Sequence, residues 1–332
     1  MVATPPQYQV AGMDSSTPEQ VLSKPFKVLC LDGGGAKGVY TLGFLREFER
    51  ASGGAPLSDF FDAIYGTSTG AIIAALLGLG NSAEVVLDLY LQYVPKILKP
   101  LFPSSKSKAL AEVGKTLFGN RKFDDFQTFI GIVATNWTAE RPLIFKSSVD
   151  AAHGLKGTFE PGFGRTISEA VQASCSASPF FDACVLDLGA AGVVQCRDGG
   201  FAANNPSLFA ITDALKSFRR TPEQVRLLTL GVGHYPEPKY SSIRRFIQSL
   251  PAAHLLQKTL SVNANTTEQI VTFLCDKVPH LRISGRFESP DLATDFLECR
   301  LEKLNLLIQK GRDSFGKEEA KVRELFEDYG QS

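Results

Sequence analysis

Short apolar runs that end at glycine alternate along this chain with longer stretches whose apolar residues recur every three or four positions. Phe26-Lys27-Val28-Leu29-Cys30-Leu31 is the first such run, and it stops at Asp32-Gly33. A run of this length bounded by turn formers reads as a strand buried on both faces. Residues 36–50 follow, with Val39, Leu42, Phe44, Leu45 and Phe48 at near-helical spacing and a glycine stop at Gly53-Gly54. Residues 61–65 repeat the strand pattern. Residues 69–79 read as an apolar helix of small residues, and residues 83–98 as a helix ended by Pro100.

The same pattern predicts strands at 129–134, 142–145, 193–197 and 225–232, with helices at 166–173 and from Pro206, a favourable first helical position. Past Tyr240 the chain reads as mostly helical, with a strand at 278–284. No internal repeat is visible. Residues 103–121 are rich in Ser, Lys and Gly and read as a mobile segment able to act as a lid. The expected fold is α/β: a three-layer α/β/α arrangement around a mostly parallel central sheet. Residues 1–24 are expected to form a flexible polar tail, 25–240 the catalytic core, and 241–332 a mostly helical extension packed on it.

Composition narrows the function. The chain has 332 residues, long enough to bury a full core. Lys+Arg and Asp+Glu are both 35, so no global basic field argues for nucleic acid. The apolar run at 71–79 is far shorter than the roughly 20 residues of a spanning helix, so a membrane role is expected to be peripheral. Six scattered cysteines include no C-x-x-C pair, and no secretory signal is visible. Both fit free thiols in a reducing cytoplasm. No His, Asp and Glu cluster has ligand spacing, so neither metal nor cofactor is expected.

Three motifs carry chemistry. Gly66-Thr67-Ser68-Thr69-Gly70 is a G-x-S-x-G between an apolar strand and an apolar helix, the setting in which a sharp turn presents a nucleophilic Ser Oγ. A tight turn with an N-capping hydroxyl has the same pattern. Asp32-Gly33-Gly34-Gly35-Ala36-Lys37-Gly38 also lies between strand and helix. Consecutive glycines let N–H groups converge on an anion. The loop fits an oxyanion hole with Gly34 and Gly35 as donors. It also matches the dinucleotide fingerprint formally, but the acid expected at the end of the next strand is missing. Asp198-Gly199-Gly200 ends a third strand, ahead of Asn204-Asn205-Pro206. By itself this is an ordinary turn; its place at a strand end puts it where α/β sheets gather their active sites.

Together these motifs resemble the patatin-like phospholipases. The glycine loop at 32–38, the elbow at 66–70 and the aspartate motif at 198–200 occur in that family's order, with Asn205-Pro206 and Ala177-Ser178-Pro179 at the expected steps. The resemblance implies a dyad, with Ser68 as nucleophile and Asp198 as base. It also implies oxyanion donors at Gly33, Gly34 and Gly35, and calcium-independent hydrolysis of phospholipid and lysophospholipid esters at a membrane surface. Bacterial members of this compact size include effectors switched on by cyclic nucleotides in anti-phage defence, which makes a cyclic nucleotide an expected activator.

Several residues stay open at this level. His234 follows an apolar strand, and the order Ser68, Asp198, His234 is that of a Ser-His-Asp esterase. A non-catalytic nucleotide-binding domain using the glycine loop is the other alternative. Lys37 is an accessory candidate for an oxyanion or an anionic head group, although a lysine at a helix start is ordinarily solvated. Phe180-Phe181, Leu101-Phe102 and Phe118 are candidates to line an acyl pocket. Arg219-Arg220 and Arg244-Arg245 are candidates for phosphate binding. His153, His254 and His280 have no ligand-like spacing.

Overall fold

Phe26–Leu31 forms strand β1 with alternate side chains committed to opposite faces: Leu29 and Leu31 join one apolar cluster, Val28 and Cys30 another. That two-sided burial is what a continuous apolar strand requires, and it fixes a sheet between two layers. The computed structural model describes residues 24–151, 160–189, 192–238 and 251–326. The expected tail up to residue 23, His153 and the pair Arg244-Arg245 lie outside the described residues, as does the side chain of His254.

The strands are β1, β2 (Ala63–Thr67), β3 (Phe129–Asn136), β4 (Arg141–Lys146), β5 (Cys184–Asp187), β6 (Val193–Asp198), β7 (Val225–Leu230) and β8 (His280–Ile283). They form one sheet in the order β5-β6-β3-β2-β1-β7-β8, with β4 also paired to β3. The β3, β2, β1, β7 and β8 neighbours are parallel, and β4, β5 and β6 enter antiparallel. The sheet is therefore mixed and mostly parallel, as expected.

The helices are α1 (Gly38–Ala51), α2 (Thr69–Gly78), α3 (Ala83–Leu98), α4 (Pro103–Phe118), α5 (Ile167–Ser174), α6 (Ser207–Lys216), α7 (Pro251–Leu274) and α8 (Leu301–Leu325), besides shorter turns. Residues of α1 to α5 and α8 share the cluster of Leu29 and Leu31. Ala210, Ile211 and Ala214 of α6 and Val271 of α7 share that of Val28 and Cys30.

The register decides where chemistry can occur. β2 pairs with residues 129–133 of β3 and ends with Thr67 opposite Val133. β4 pairs with residues 131–136, so it must occupy the other edge of β3. β6 pairs with residues 134–136, where β4 already holds its edge, so β6 lies on the edge that β2 has just left. It runs antiparallel and ends with Asp198 opposite Ala134. The two strands thus end facing each other, and Ser68 and Asp198 follow from neighbouring β3 positions.

One sequence expectation is corrected. Residues 103–121 are not an irregular segment, because Pro103–Phe118 is helix α4 with a proline in its first turn. Lys106, Leu110, Gly114 and Phe118 are its buried positions, one every four residues. Polar composition masked that stripe.

The last third of the chain is bound into the same core. β8 extends the sheet, and α8 crosses α1 so closely that a Cβ on Gly311 would strike the Tyr40 carbonyl, and one on Gly43 the Ile308 carbonyl. Tyr40 Oη donates to Ser314 Oγ at 2.9 Å, and Phe44 meets Phe315 edge-on at 5.3 Å. Phe326 closes α8 against Phe48, Phe60 and Phe61 at 6.0, 5.3 and 5.7 Å between ring centroids. Phe326→Ala empties a site only 1% exposed. It is expected to cost about 3–5 kcal/mol, read as an earlier midpoint in urea unfolding. An unchanged midpoint means that α8 does not share the cooperative core.

Candidate active site

Ser68 sits between β2 and α2 with φ 52° and ψ −119°, a positive φ that is strained for a residue with a side chain. The strain is maintained because the turn has no slack. A Cβ on Gly66 would strike the Gly70 carbonyl, and one on Gly70 would strike the Leu31 carbonyl at the end of β1. Only glycine at both flanks lets α2 start this close to the sheet, which accounts for the G-x-S-x-G spacing in steric terms. Ser68 N–H donates to Ser174 Oγ at 2.8 Å, and Ser174 Oγ in turn donates to the Val133 carbonyl at 2.5 Å.

Asp198 is held by the same segment. Its N–H donates to the Ser176 carbonyl at 3.1 Å, and its carbonyl accepts from Thr135 Oγ1 at 2.8 Å. Gly199 N–H donates to the Ser174 carbonyl at 3.1 Å, so residues 174–176 clamp both the elbow and the end of β6. Asp198 Oδ1 accepts from Gly200 N–H at 2.7 Å. Oδ2 is buried and, among the described residues, accepts no hydrogen bond of ordinary geometry. Burial pushes the carboxyl up to about 6, against the Ser68 hydroxyl and the Gly200 N–H, which both lower it. Ser68 is thus close enough to act on this carboxylate without a well-formed hydrogen bond in the resting geometry.

The glycine loop divides into two parts. Gly33 N–H donates to the Asn204 carbonyl and Asn204 Nδ2 donates back to the Gly33 carbonyl, both at 3.2 Å. The Gly33 N–H thus already has a backbone partner in this geometry, unlike those of the two glycines that follow. Gly34 and Gly35 line the cavity at Ser68, and neither N–H has a hydrogen-bond partner among the described residues. Gly35 has φ 57°, and its carbonyl accepts from Thr69 Oγ1 at 3.0 Å and Tyr90 Oη at 2.5 Å. Tyr90, Ser174 and Asn204 are supports that sequence reasoning missed, since each acts through a contact made far along the chain.

At the head of the loop, buried Asp32 pairs with Arg282 of β8 through two hydrogen bonds of 2.6 and 3.3 Å. Burial pushes the Asp32 carboxyl up, and the guanidinium opposes this. Arg282 Nε also lies 3.7 Å from Glu268 Oε2 on α7.

A cavity of about 60 Å³ opens at Ser68 and runs between α2, α3 and α4. Its wall is almost wholly apolar, and includes Ile97, Leu110, Phe180 and Leu260. A second, smaller cavity of about 20 Å³ lies behind it, shares Ile72, Tyr90, Val94, Ile97 and Leu110, and reaches Phe118. Phe180 and Phe181 line the first cavity as expected; Leu101 and Phe102 are exposed and line neither. Cys175 lines the first cavity beside Ser68, and burial pushes its thiol well up, so it stands there neutral.

The other candidates are elsewhere. His234 lines neither cavity. Burial lowers its pKa, as do the charges of Lys37, Arg286 and Arg282. Among the described residues its ring makes no hydrogen bond to Ser68 or Asp198. Lys37 is not solvated: it is 6% exposed, with its ammonium 4.7 Å over the Phe296 ring, and burial lowers it to about 8 against the charge of Asp295. Arg220 lies over Phe26 at the start of β1, the sheet edge opposite the glycine loop. His280 is held by the Val278 carbonyl and Glu268.

A serine elbow, an unpaired buried carboxylate and free loop N–H groups at the carboxyl ends of β1 and β2 define a hydrolase-like site on an α/β sheet. The family model of patatin-like phospholipase matches residues 29–211. The chain is 49% identical over 299 residues to the cUMP-AMP-activated phospholipase of Escherichia coli, covering 90% of this chain and 93% of that protein. It is 31% identical to patatin-like protein 2 of Arabidopsis thaliana over 69% of this chain and 67% of that one. To the cGAMP-activated phospholipase of Vibrio cholerae it is 27% identical, over 63% and 65%. The chain belongs to the patatin-like phospholipase family.

The environment of Asp198 has a consequence for stability. An acid with a folded pKa near 6 and an ordinary value of 3.8 favours its protonated form in the fold. Its contribution is fully present below about pH 4 and is lost as pH rises through about 6, a penalty of about 3 kcal/mol. Asp198→Asn removes the charge and keeps the shape. Thermal melts at pH 8 are expected to show this variant at least as stable as the parent; a clear loss of stability would mean that the ionised carboxylate is structural.

Proposed function

We propose that the protein hydrolyses acyl esters of phospholipids through a Ser68–Asp198 dyad. The observation that carries this is Asp198 Oδ2, a buried carboxylate oxygen without an ordinary hydrogen-bond partner beside a strained serine, in a cavity lined by Gly34 and Gly35. Asp198 takes the Ser68 proton as Oγ attacks the acyl carbonyl, and the developing oxyanion is received by the N–H groups of Gly34 and Gly35. Collapse breaks the ester C–O bond, Asp198 returns its proton to the leaving alcohol, and the acyl chain stays on Ser68 in the apolar cavity. Water then attacks the acyl-serine, Asp198 takes its proton, and Ser68 recovers it as the fatty acid departs.

Three features support a carboxylate in the role that histidine fills elsewhere. Its pKa is raised to about 6, close to neutral working pH. Among the described residues no cation pairs with it. The loop N–H groups offset charge at the moment of attack. No group of three His, Cys, Asp or Glu that could hold a metal is present among the described residues, and no step here requires one.

Likeness to phospholipases named for activation by cUMP-AMP and cGAMP supports a cyclic dinucleotide as activator of this chain too, in keeping with a defence role. Arg219-Arg220 stand at the wrong edge of the sheet to couple a nucleotide directly to Ser68, so they are set aside as its site.

The test is hydrolysis of phospholipid, and labelling by a fluorophosphonate, with and without cUMP-AMP and cGAMP. Ser68→Ala is expected to abolish both. Asp198→Asn should lower kcat by at least about 10³-fold, and His234→Ala should stay within about twofold of the parent. If His234→Ala is as inactive as Ser68→Ala, the base is histidine. The kcat/KM profile should rise tenfold per pH unit below about 6 and level off above it, following the ionised fraction of Asp198. A flat profile from pH 5 to 8 rejects Asp198 as the base.

A further inference from the structure

The turn between α3 and α4 puts apolar side chains into water. Leu101 is 58% exposed and Phe102 is 70% exposed, in a chain whose other phenylalanines are mostly packed into its core. This is not a loose loop. Pro100 and Pro103 flank the pair, and Lys106 turns inward to donate from Nζ to the Leu101 carbonyl at 3.2 Å. Lys106 is itself buried, so a lysine is used to hold the backbone while the apolar side chains stay outside.

The same turn joins the two helices that wall the Ser68 cavity. Ile97 and Leu98 at the end of α3 line it, and so does Leu110 of α4. The exposed pair is therefore continuous with the apolar lining along both helices.

Its charge is one-sided. No acidic residue occurs from 89 to 111, while Lys96, Lys99 and Lys108 are all exposed there. Lys96 lies over the Tyr93 ring at 4.7 Å, and neither Lys99 nor Lys108 has an ion-pair partner among the described residues. Asp182, whose N–H donates to Ser107 Oγ, and Glu112, one turn beyond Lys108 on α4, are acidic residues at its border.

We propose that residues 96–108 are the surface by which the protein docks on an anionic phospholipid bilayer, with Leu101 and Phe102 inserted at the head-group boundary and Lys96, Lys99 and Lys108 on the lipid phosphates. The pairing of apolar tips with flanking lysines is what an interfacial segment needs: the tips supply burial and the lysines supply attraction to negative lipid. A pinned turn loses little further freedom on binding. Docked this way, an acyl chain leaves the bilayer beside Ile97 and Leu98 and enters the cavity without crossing water. The site's substrate class is thereby deepened from acyl ester to lipid presented in a membrane. This rests on the acyl-hydrolase reading above.

The test separates docking from turnover. Binding is measured by co-sedimentation of Ser68→Ala protein with vesicles of phosphatidylcholine alone, or of phosphatidylcholine with 30% phosphatidylglycerol. Adding Leu101→Ser and Phe102→Ser is expected to weaken binding at least tenfold on both vesicles. Lys99→Gln with Lys108→Gln should weaken it by about fivefold per lysine on the anionic vesicles only. Val193→Ser, which removes an exposed apolar residue at the far strand pair β5–β6, should change nothing. In the chain with Ser68 intact, the serine pair should lose vesicle hydrolysis while its rate on a soluble short-chain ester stays within twofold. Because sedimentation needs no catalysis, a chain that hydrolyses no ester would overturn the acyl-hydrolase reading and leave the docking result standing. Unchanged vesicle affinity in both the serine and the glutamine pair overturns the proposal. So does a serine pair that only converts a dimer to a monomer, since the occupant of the surface is then a second copy.

Discussion

Two strands that end head to head on one edge of β3 are the constraint from which the site follows. β2 leaves that edge at Val133, and β6, running the other way, occupies it from Ala134. Residues that follow the two strand ends are forced together regardless of the 130 positions between them in the chain. Because the meeting involves backbone as well as side chains, bulk is excluded around it. A Cβ on Gly199 would strike the Val133 carbonyl, the same carbonyl that accepts from Ser174 Oγ. The serine, the aspartate and the segment at 174–176 are thus positioned by one crowded junction on a rigid sheet, the kind of support that keeps reacting groups in register.

Two buried carboxylates near this junction are handled in opposite ways. Asp32 is neutralised by Arg282 with two-point geometry, which suits a charge that has to remain in place while holding the start of the glycine loop. Among the described residues Asp198 has no cation beside it, and its second oxygen accepts no hydrogen bond of ordinary geometry. Burial without a counter-charge keeps its proton affinity high, whereas an arginine there would have lowered it. Arg282 comes from β8, so the last third of the chain contributes directly to the loop opposite Ser68. The two aspartates thus stand in different electrostatic environments, one beside a guanidinium and one whose proton affinity is raised by burial.

The apolar cavity adds to this electrostatic arrangement. Gly34 and Gly35, whose N–H groups have no hydrogen-bond partner among the described residues, face a cavity lined by apolar side chains such as Ile97, Leu110 and Phe180, a setting in which a hydrogen bond is stronger than in water. The helices that build the cavity also carry the exposed turn at Leu101 and Phe102, so that turn and the cavity wall are parts of the same packing unit.

The chain by itself determined a good deal. Apolar runs ending at glycine located most strands, because a doubly buried strand has to be apolar throughout. Glycine spacing marked the elbow and the loop, because backbone contacts that tight admit no other residue. Ser68, Gly34 and Gly35 could be named as candidates on those grounds, while a role for Asp198 came from the resemblance of the three motifs to a known family. What only the tertiary structure decided is how long-range contacts divide the work. Gly33 was legible as part of the loop, but its N–H is taken by Asn204, 171 residues away. Lys37 is polar and begins a helix, yet Phe296 covers it. Helix α4 was hidden because its composition is polar, while its buried stripe of Lys106, Leu110, Gly114 and Phe118 has meaning only once α3 and α5 lie beside it. Composition and spacing report what a residue can do locally. Which partner reaches it is set by strand register and helix packing, and those are properties of the whole fold.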